Sequence, residues 1–351
     1  MVRPPTSGTG ATLAELGWTP FFSSQLSSDD RASLCPVRVM AVHRGKIAVA
    51  GCMAGGVSER LIAPTIAQAR GETSHATVGD WLLIDEETSQ IARILRRASL
   101  FTRRTPGNQR KTQLITANVD SLFIVMSCNQ DFNTARLERY LVMAREAGVT
   151  PVVVLTKADQ VDNPETFAQA AGALQPGLQV TTINGKSLPS AARLAVWCSP
   201  GKTVALLGSS GVGKSTLIKT LTGCERITTQ AVREGDGKGR HTTTVREMHR
   251  LDQGGWLMDT PGMRELHLSE ATEGLAEVFE DILTLAQLCR FSNCGHGLEP
   301  DCRVQTAIAA GELDPARFMR WRKLSSDYGV GAEGRTKVQR NSRSRAGSPH
   351  R

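Results

Sequence analysis

A chain of 351 residues with 40% hydrophobic and 22% charged content has the make-up of two or three folded domains, each able to bury a core. No apolar run reaches the length of a membrane-spanning helix, and the opening MVRPPTSGTGATLAELGW lacks the apolar stretch of a secretory signal, so a cytoplasmic protein without a membrane partner is expected. The formal charge of +8 gathers in two blocks without Asp or Glu, seven Lys or Arg from Arg93 to Lys111 and six in the last seventeen residues, and such blocks favour a polyanionic partner, above all nucleic acid.

Residues 1–33 read as an N-terminal extension, polar and Gly/Ser-rich at first and partly disordered. From Cys35 the short runs CPVRVMAVHRG, KIAVAGC, VGDWLLIDE and QIARILRR predict a small all-β barrel over 34–104. An oligonucleotide-binding (OB) barrel of five strands fits this length, and an SH3-like barrel fits it too. Beyond residue 104 strands and helices alternate. VDSLFIVMSC reads as a buried strand, TARLERYLVMAREAG as an amphipathic helix ending at Gly148, and TPVVVLTKAD as the next strand. A helix, the strand QVTTING, the helix-like SAARLAVWC, the strand GKTVALLGSSG, a helix from Gly213 and the strand GWLMDTPG follow. This pattern predicts a doubly wound α/β sheet over 105–270. Residues 271–325 are expected to be mostly helical around a cysteine cluster, and 326–351 to form a basic, disordered tail.

The residues Gly208-Ser209-Ser210-Gly211-Val212-Gly213-Lys214-Ser215 fit the phosphate-loop pattern G-x-x-x-x-G-K-[ST], between an apolar strand and a helix. The glycines let the backbone N–H groups converge on phosphate oxygens at a helix N-terminus, where the dipole favours anions. Lys214 would reach the β- and γ-phosphates, Ser215 would ligate Mg²⁺, and Thr216 completes the nucleotide-binding set. Downstream, LMDTPG places Asp259 at a strand end to hold Mg²⁺, with the Gly262 N–H near the γ-phosphate. Between them REGDGKGRHTTTVRE reads as a switch loop, in which Thr242 or Thr243 offers a hydroxyl to Mg²⁺, Thr243 being preferred.

Upstream of the phosphate loop, TKAD (Thr156–Asp159) ends an apolar strand. The Asp159 carboxylate can accept two hydrogen bonds from guanine that adenine cannot offer, and Lys157 can lie along the base. Base turn, phosphate loop, switch and D-x-x-G therefore occur in the order of a circularly permuted GTPase, which a doubly wound sheet tolerates because strand adjacency builds the site.

At this point the chain resembles the small-ribosomal-subunit-dependent, YjeQ-like GTPases over about residues 12–325, through ANVD (Ala117–Asp120), TKAD, GSSGVGKST, GRHTTT (Gly239–Thr244), DTPGMRE (Asp259–Glu265) and the cysteine cluster. The resemblance implies a circularly permuted α/β P-loop GTPase domain between an N-terminal OB-like barrel and a C-terminal helical zinc-binding domain. It also implies late maturation of the small subunit, contact with its rRNA, and subunit-stimulated conversion of GTP to GDP by a monomer. The family's base motif opens with Asn where this chain has Thr156, and its Ser-Ala pair is replaced by INGKS, in which Asn184 and Gly185 are the candidate base contacts. After DTPG stands Met263, which cannot orient water, so His241 in the family's HTTT position is the candidate catalytic residue.

Cys289, Cys294, His296 and Cys302 have the spacing C-x₄-C-x-H-x₅-C, three thiolates and an imidazole that complete a closed structural Zn²⁺ shell. The remaining cysteines are scattered, which fits a reducing compartment better than a disulfide framework. Two other readings stay open on the residues alone: an ATP-using P-loop enzyme, and a nucleic-acid-binding zinc protein whose nucleotide is structural.

Overall fold

The computed structural model describes residues 12–43, 45–53, 56–63, 75–105, 108–223, 246–259 and 271–330. Two short helices lead in, α1 (Pro20–Ser23) and α2 (Ser28–Ser33), the second capped by Ser27 in a reciprocal box with Asp30. Five strands follow: β1 (Leu34–His43), β2 (Lys46–Met53), β3 (Gly56–Ile62), β4 (Trp81–Asp85) and β5 (Ile91–Ile94). They pair antiparallel in the order β3-β2-β1-β4-β5. With β1 between β2 and β4, this is the order of a partly open OB barrel, which answers the choice that composition left open. Val37, Val39, Ile47, Val49, Leu82 and Ile84 fill its interior.

A hairpin of β6 (Leu100–Thr105) and β7 (Asn108–Ala117) forms its own two-stranded sheet, with Leu100 opposite Ala117. It runs across the boundary expected at residue 104, so part of the first basic block is strand. The alternating region then comprises β8 (Ser121–Ser127), α3 (Thr134–Glu146), β9 (Thr150–Thr156), α4 (Glu165–Gly172), β10 (Gln179–Thr182) and α5 (Leu188–Ala191). It continues with β11 (Thr203–Leu207), α6 (Lys214–Thr222), β12 (Arg246–Arg250) and β13 (Trp256–Asp259). The run expected as one helix over SAARLAVWC is instead a single α-turn, α5, followed by 3₁₀ helix over Ala192–Trp197.

Strand order in this part is β10-β9-β8-β11-β13-β12, parallel except for β12. Alternation along β8 explains how both faces are covered. Leu122, Ile124 and Met126 share one core with Leu137 and Leu141 of α3, while Phe123 and Val125 share another with Leu217 and Ile218 of α6. Helices on opposite faces after the adjacent strands β8 and β11 make their C-terminal ends a topological switch point, the usual place for a ligand in such sheets.

At its other end the sheet is continuous with the barrel. β12 pairs antiparallel with β1, Ala41 opposite Glu247 and Val42 opposite Arg246. The segment from Thr12 packs over this junction. Trp18 meets Trp81 edge-on at 4.8 Å, and the Trp256 indole N–H donates to the Glu15 carbonyl at 2.7 Å. Arg38 is buried beneath it, donating to the carbonyls of Leu16 at 2.5 Å and Asn118 at 2.9 Å. Burial lowers the Arg38 pKa to about 10, against the opposing pull of Asp120 and Asp80. A cation held there stitches together three parts of the chain distant in sequence.

Four helices finish the described chain: α7 (Thr272–Val278), α8 (Glu280–Gln287), α9 (Arg303–Ala309) and α10 (Pro315–Asp327). They extend the α3-side core through Leu275, Ile282, Val304, Phe318 and Trp321.

Candidate functional site

The phosphate-loop residues lie where β11 ends, at the switch point. A Cβ at Gly208 would stand 2.2 Å from the Val125 carbonyl, so only glycine lets the loop pass β8 that closely. Gly213 has φ +99°, a conformation that side chains rarely adopt, and it turns the chain into α6 at Lys214. The first turn of α6 carries neither a side-chain cap nor an acidic residue, which leaves its N–H groups suited to an anion. The Lys214 ammonium curls back over the loop and donates to the carbonyls of Gly208, at 2.7 Å, and Ser209.

One strand over, β9 delivers Thr156 and a left-handed Lys157 (φ +57°), followed by a 3₁₀ turn over Ala158–Gln160 that leaves Asp159 exposed. Thr156 is buried, and its hydroxyl lies 2.5 Å from the Val212 carbonyl and 3.2 Å from that of Met126. Its hydroxyl thus joins the TKAD turn to the phosphate loop. Asn184 and Gly185 are brought beside this turn because β10 pairs with β9 and the Ile183 N–H bonds the Leu155 carbonyl. The Asn184 side-chain oxygen accepts from Lys186 N–H at 3.0 Å, while the Gly185 carbonyl accepts from Thr220 of α6 at 2.7 Å.

β13 runs parallel to β11, with Ala205 opposite Met258, so the main chain at Asp259 ends next to the phosphate loop. His241, Thr242, Thr243, Gly262 and Met263 lie outside the described residues, as does the chain from residue 331 on; the tail expected to begin at 326 starts later, because α10 runs to Asp327 and the described chain continues to Val330.

The ligand atoms of Cys289, Cys294, His296 and Cys302 all lie within 4.8 Å of one another. His296 Nδ1 is 3.6 Å from the sulfurs of both Cys289 and Cys302, which are 3.9 Å apart. His296 takes φ +55°, and the loop is braced by Glu299, whose carboxylate accepts from the N–H groups of Gly295 at 2.7 Å and Gly297 at 2.6 Å. Gln305 donates to the His296 carbonyl at 2.7 Å. Burial pushes the Cys294 thiol up to about 11. A thiolate in that position needs a compensating positive charge, and four ligand atoms gathered this closely could hold a metal ion.

Residues 94–269 match the family model described as RsgA GTPase. A Small ribosomal subunit biogenesis GTPase RsgA from Mesorhizobium japonicum is 48% identical, over 92% of this chain and 91% of that protein. The chain belongs to the RsgA GTPase family. An RsgA 2 protein of Vibrio parahaemolyticus is 45% identical over 90% of this chain and 86% of its own length. Two solved structures share the fold: YjeQ from Thermotoga maritima, with TM-score 0.60, 24% identity and coverage of 84% of this chain and 98% of that one, and YloQ, described as a circularly permuted GTPase, with TM-score 0.61, 23% identity and coverage of 84% and 95%. The RsgA-family chain is thus a GTP-hydrolysing enzyme with a circularly permuted P-loop domain, and among the described residues no helix is long and apolar enough to cross a membrane.

Sequence reasoning missed one RsgA-chain contact at the phosphate loop. Arg136, in the first turn of α3, donates to the Ser209 hydroxyl and, at 3.1 Å, to both oxygens of Asp131. The helix pattern could show that Arg136 lies off the apolar face, but not that it meets a residue 73 positions away.

Proposed function

We propose that this GTPase acts in late maturation of the small ribosomal subunit, binding that subunit and its rRNA and turning over GTP faster when docked. The observation that carries the reading is the near-full-length similarity to proteins named for small-subunit biogenesis, 48% identical over 92% of the chain. Charge supports it, since the acid-free basic block from Arg93 to Lys111 reaches the β6–β7 hairpin beside an OB barrel.

Within that reading Asp159 and Lys157 select guanine, aided by the Asn184–Gly185 loop, and residues Gly208 to Thr216 hold the phosphates. Ser215, Thr243 and Asp259 serve Mg²⁺, the Gly262 N–H faces the γ-phosphate, and His241 orients the attacking water. The metal is one structural Zn²⁺. Zinc bonds of about 2.3 Å to sulfur and about 2.0–2.1 Å to nitrogen give tetrahedral edges near 3.8 and 3.5 Å, close to the 3.9 and 3.6 Å found here. The protein works as a cytoplasmic monomer, divided into a barrel (34–104), GTPase domain (105–270), metal-bearing helices (271–325) and tail (326–351), with the hairpin spanning the first joint.

GTP hydrolysis measured with and without purified small subunits tests the proposal. Stimulated turnover supports it. Equal rates in the two arms overturn it, and competition of labelled nucleotide by ATP as effective as by GTP would overturn the guanine assignment.

A further inference from the structure

Helix α3 lies between the phosphate loop and the C-terminal helices, and it is tied to both. Arg136 and Glu138 are two positions apart, about 200° around the helix, so they point to opposite sides. Arg136 meets Ser209 of the phosphate loop and is itself oriented by Asp131. The Asn133 side chain caps the helix by accepting from Arg136 N–H at 2.9 Å. Glu138 is fully buried and accepts three charge-assisted bonds from α10: Arg317 Nη1 at 3.0 Å, Arg320 Nε at 2.5 Å and Arg320 Nη2 at 3.2 Å.

The far end of α3 is held just as closely. The Glu146 carboxylate accepts from Gly274 N–H at 2.8 Å, and Arg145 pairs with Glu277 at 2.9 Å. A Cβ on Gly274 would come 2.3 Å from the Val142 carbonyl, so α7 and α3 touch backbone to backbone. Such a helix cannot shift without breaking the buried Glu138 contacts to α10 and the backbone-close contact with α7. A change at Ser209 therefore reaches α10 through a rigid bar.

We propose that Arg136 is a positioning residue of the nucleotide site that couples phosphate-loop occupancy to the seating of α10 on the GTPase domain. By linkage, a partner that grips the C-terminal helices changes nucleotide affinity by the same factor that nucleotide changes partner affinity. The proposal rests on residues 208–215 being the phosphate loop of the GTP site.

The test uses the full chain with its metal, a fluorescent GDP for affinity, and amide exchange of residues 315–327 read by mass spectrometry. In the parent protein, saturating GDP slows exchange across α10 by roughly fivefold, the lower range of measured couplings. Arg136→Gln weakens GDP binding by a similar factor and abolishes the slowing, while nucleotide-free α10 exchanges as in the parent, which separates lost coupling from lost fold. Arg136→Lys restores part of the effect. Arg139→Gln, which removes only the exposed 3.5 Å pair with Asp327, leaves it intact. GDP binding without slowing in the parent, or slowing that survives Arg136→Gln, overturns the coupling alone. Failure of the parent to bind GDP overturns both the coupling and the nucleotide-site reading.

Discussion

The hydroxyl of Thr156 stands 2.5 Å from the carbonyl oxygen of Val212, so one hydrogen bond joins the turn that ends β9 to the loop that follows β11. Where the family motif opens with Asn, a shorter side chain does this bridging because Gly213 lets the loop come close: a Cβ there would lie 3.3 Å from the Thr156 hydroxyl. Thr156→Val keeps the shape and removes the donor. The expected result is GTP and GDP affinity about tenfold weaker, equivalent to about 1.4 kcal/mol for one buried hydrogen bond. Preference for GTP over ATP is expected to be unchanged, because the substitution leaves Asp159, the proposed guanine acceptor, in place. Titration of the three nucleotides into this variant checks both statements.

Asp159 itself should behave oppositely. Asp159→Ala removes the proposed guanine acceptor and leaves the phosphate loop in place. GTP binding is expected to fall by about a hundredfold or more, with little change for ATP, as for sites built around a specific polar partner. Competition between the two nucleotides reads this directly.

His241→Ala is expected to bind nucleotide normally and to lose most of the subunit-stimulated hydrolysis, about a hundredfold or more for a general base. Stimulated turnover equal to the parent's would remove His241 from the reaction.

The pair formed by Glu138 with Arg317 and Arg320 makes a stability prediction. Glu138→Ala takes a buried carboxylate from Arg317 and Arg320, of which Arg317 keeps Asp281 and the Val278 carbonyl, and should cost about 3 kcal/mol in a denaturant melt. Replacing all three residues with apolar ones of similar size should cost less than the single change, because a buried charge without its partner is dearer than no charge.

Metal and pH meet at Glu299. The N–H groups of Glu299 itself, Gly297 and Gly295 hold its carboxyl below the usual range. A group whose folded pKa is depressed stabilises the fold above its unfolded pKa, near 4.3 for Glu, and that help disappears as pH falls through the folded value. The stability difference between the parent and Glu299→Gln should therefore be widest at neutral pH and close in acid. Removing the metal with a chelator should loosen residues 289–302 first, seen as faster amide exchange there than in β8 or β11.

The loop after β11 and the cysteine cluster were legible because glycines and short polar turns declare themselves locally. Gly208, Gly213 and Lys214 follow an apolar strand, and Cys289, Cys294, His296 and Cys302 fall within one short stretch. Charged pairs across elements were not legible in this way. Glu138 reads as an ordinary helix-surface acid until α10, 179 positions away, brings Arg317 against it. Arg38 shows the same limit, since a strand arginine looks solvated unless the segment from Thr12 is known to fold over it. The β6–β7 hairpin was hidden for another reason. Its basic residues interrupt the apolar alternation that marks a strand, although Phe101 and Ile115 at its base are fully buried.

The pairing of β1 with β12 has a practical consequence for anyone shortening this protein. A chain begun after the barrel, near residue 95, would leave the β12 side of the GTPase sheet as a raw edge, with unpaired N–H and C=O groups opposite the former Ala41 and Val42. Such an edge templates strands from other copies. The isolated GTPase region should therefore self-associate more than the whole chain, and the barrel serves its neighbour as a cover for that edge.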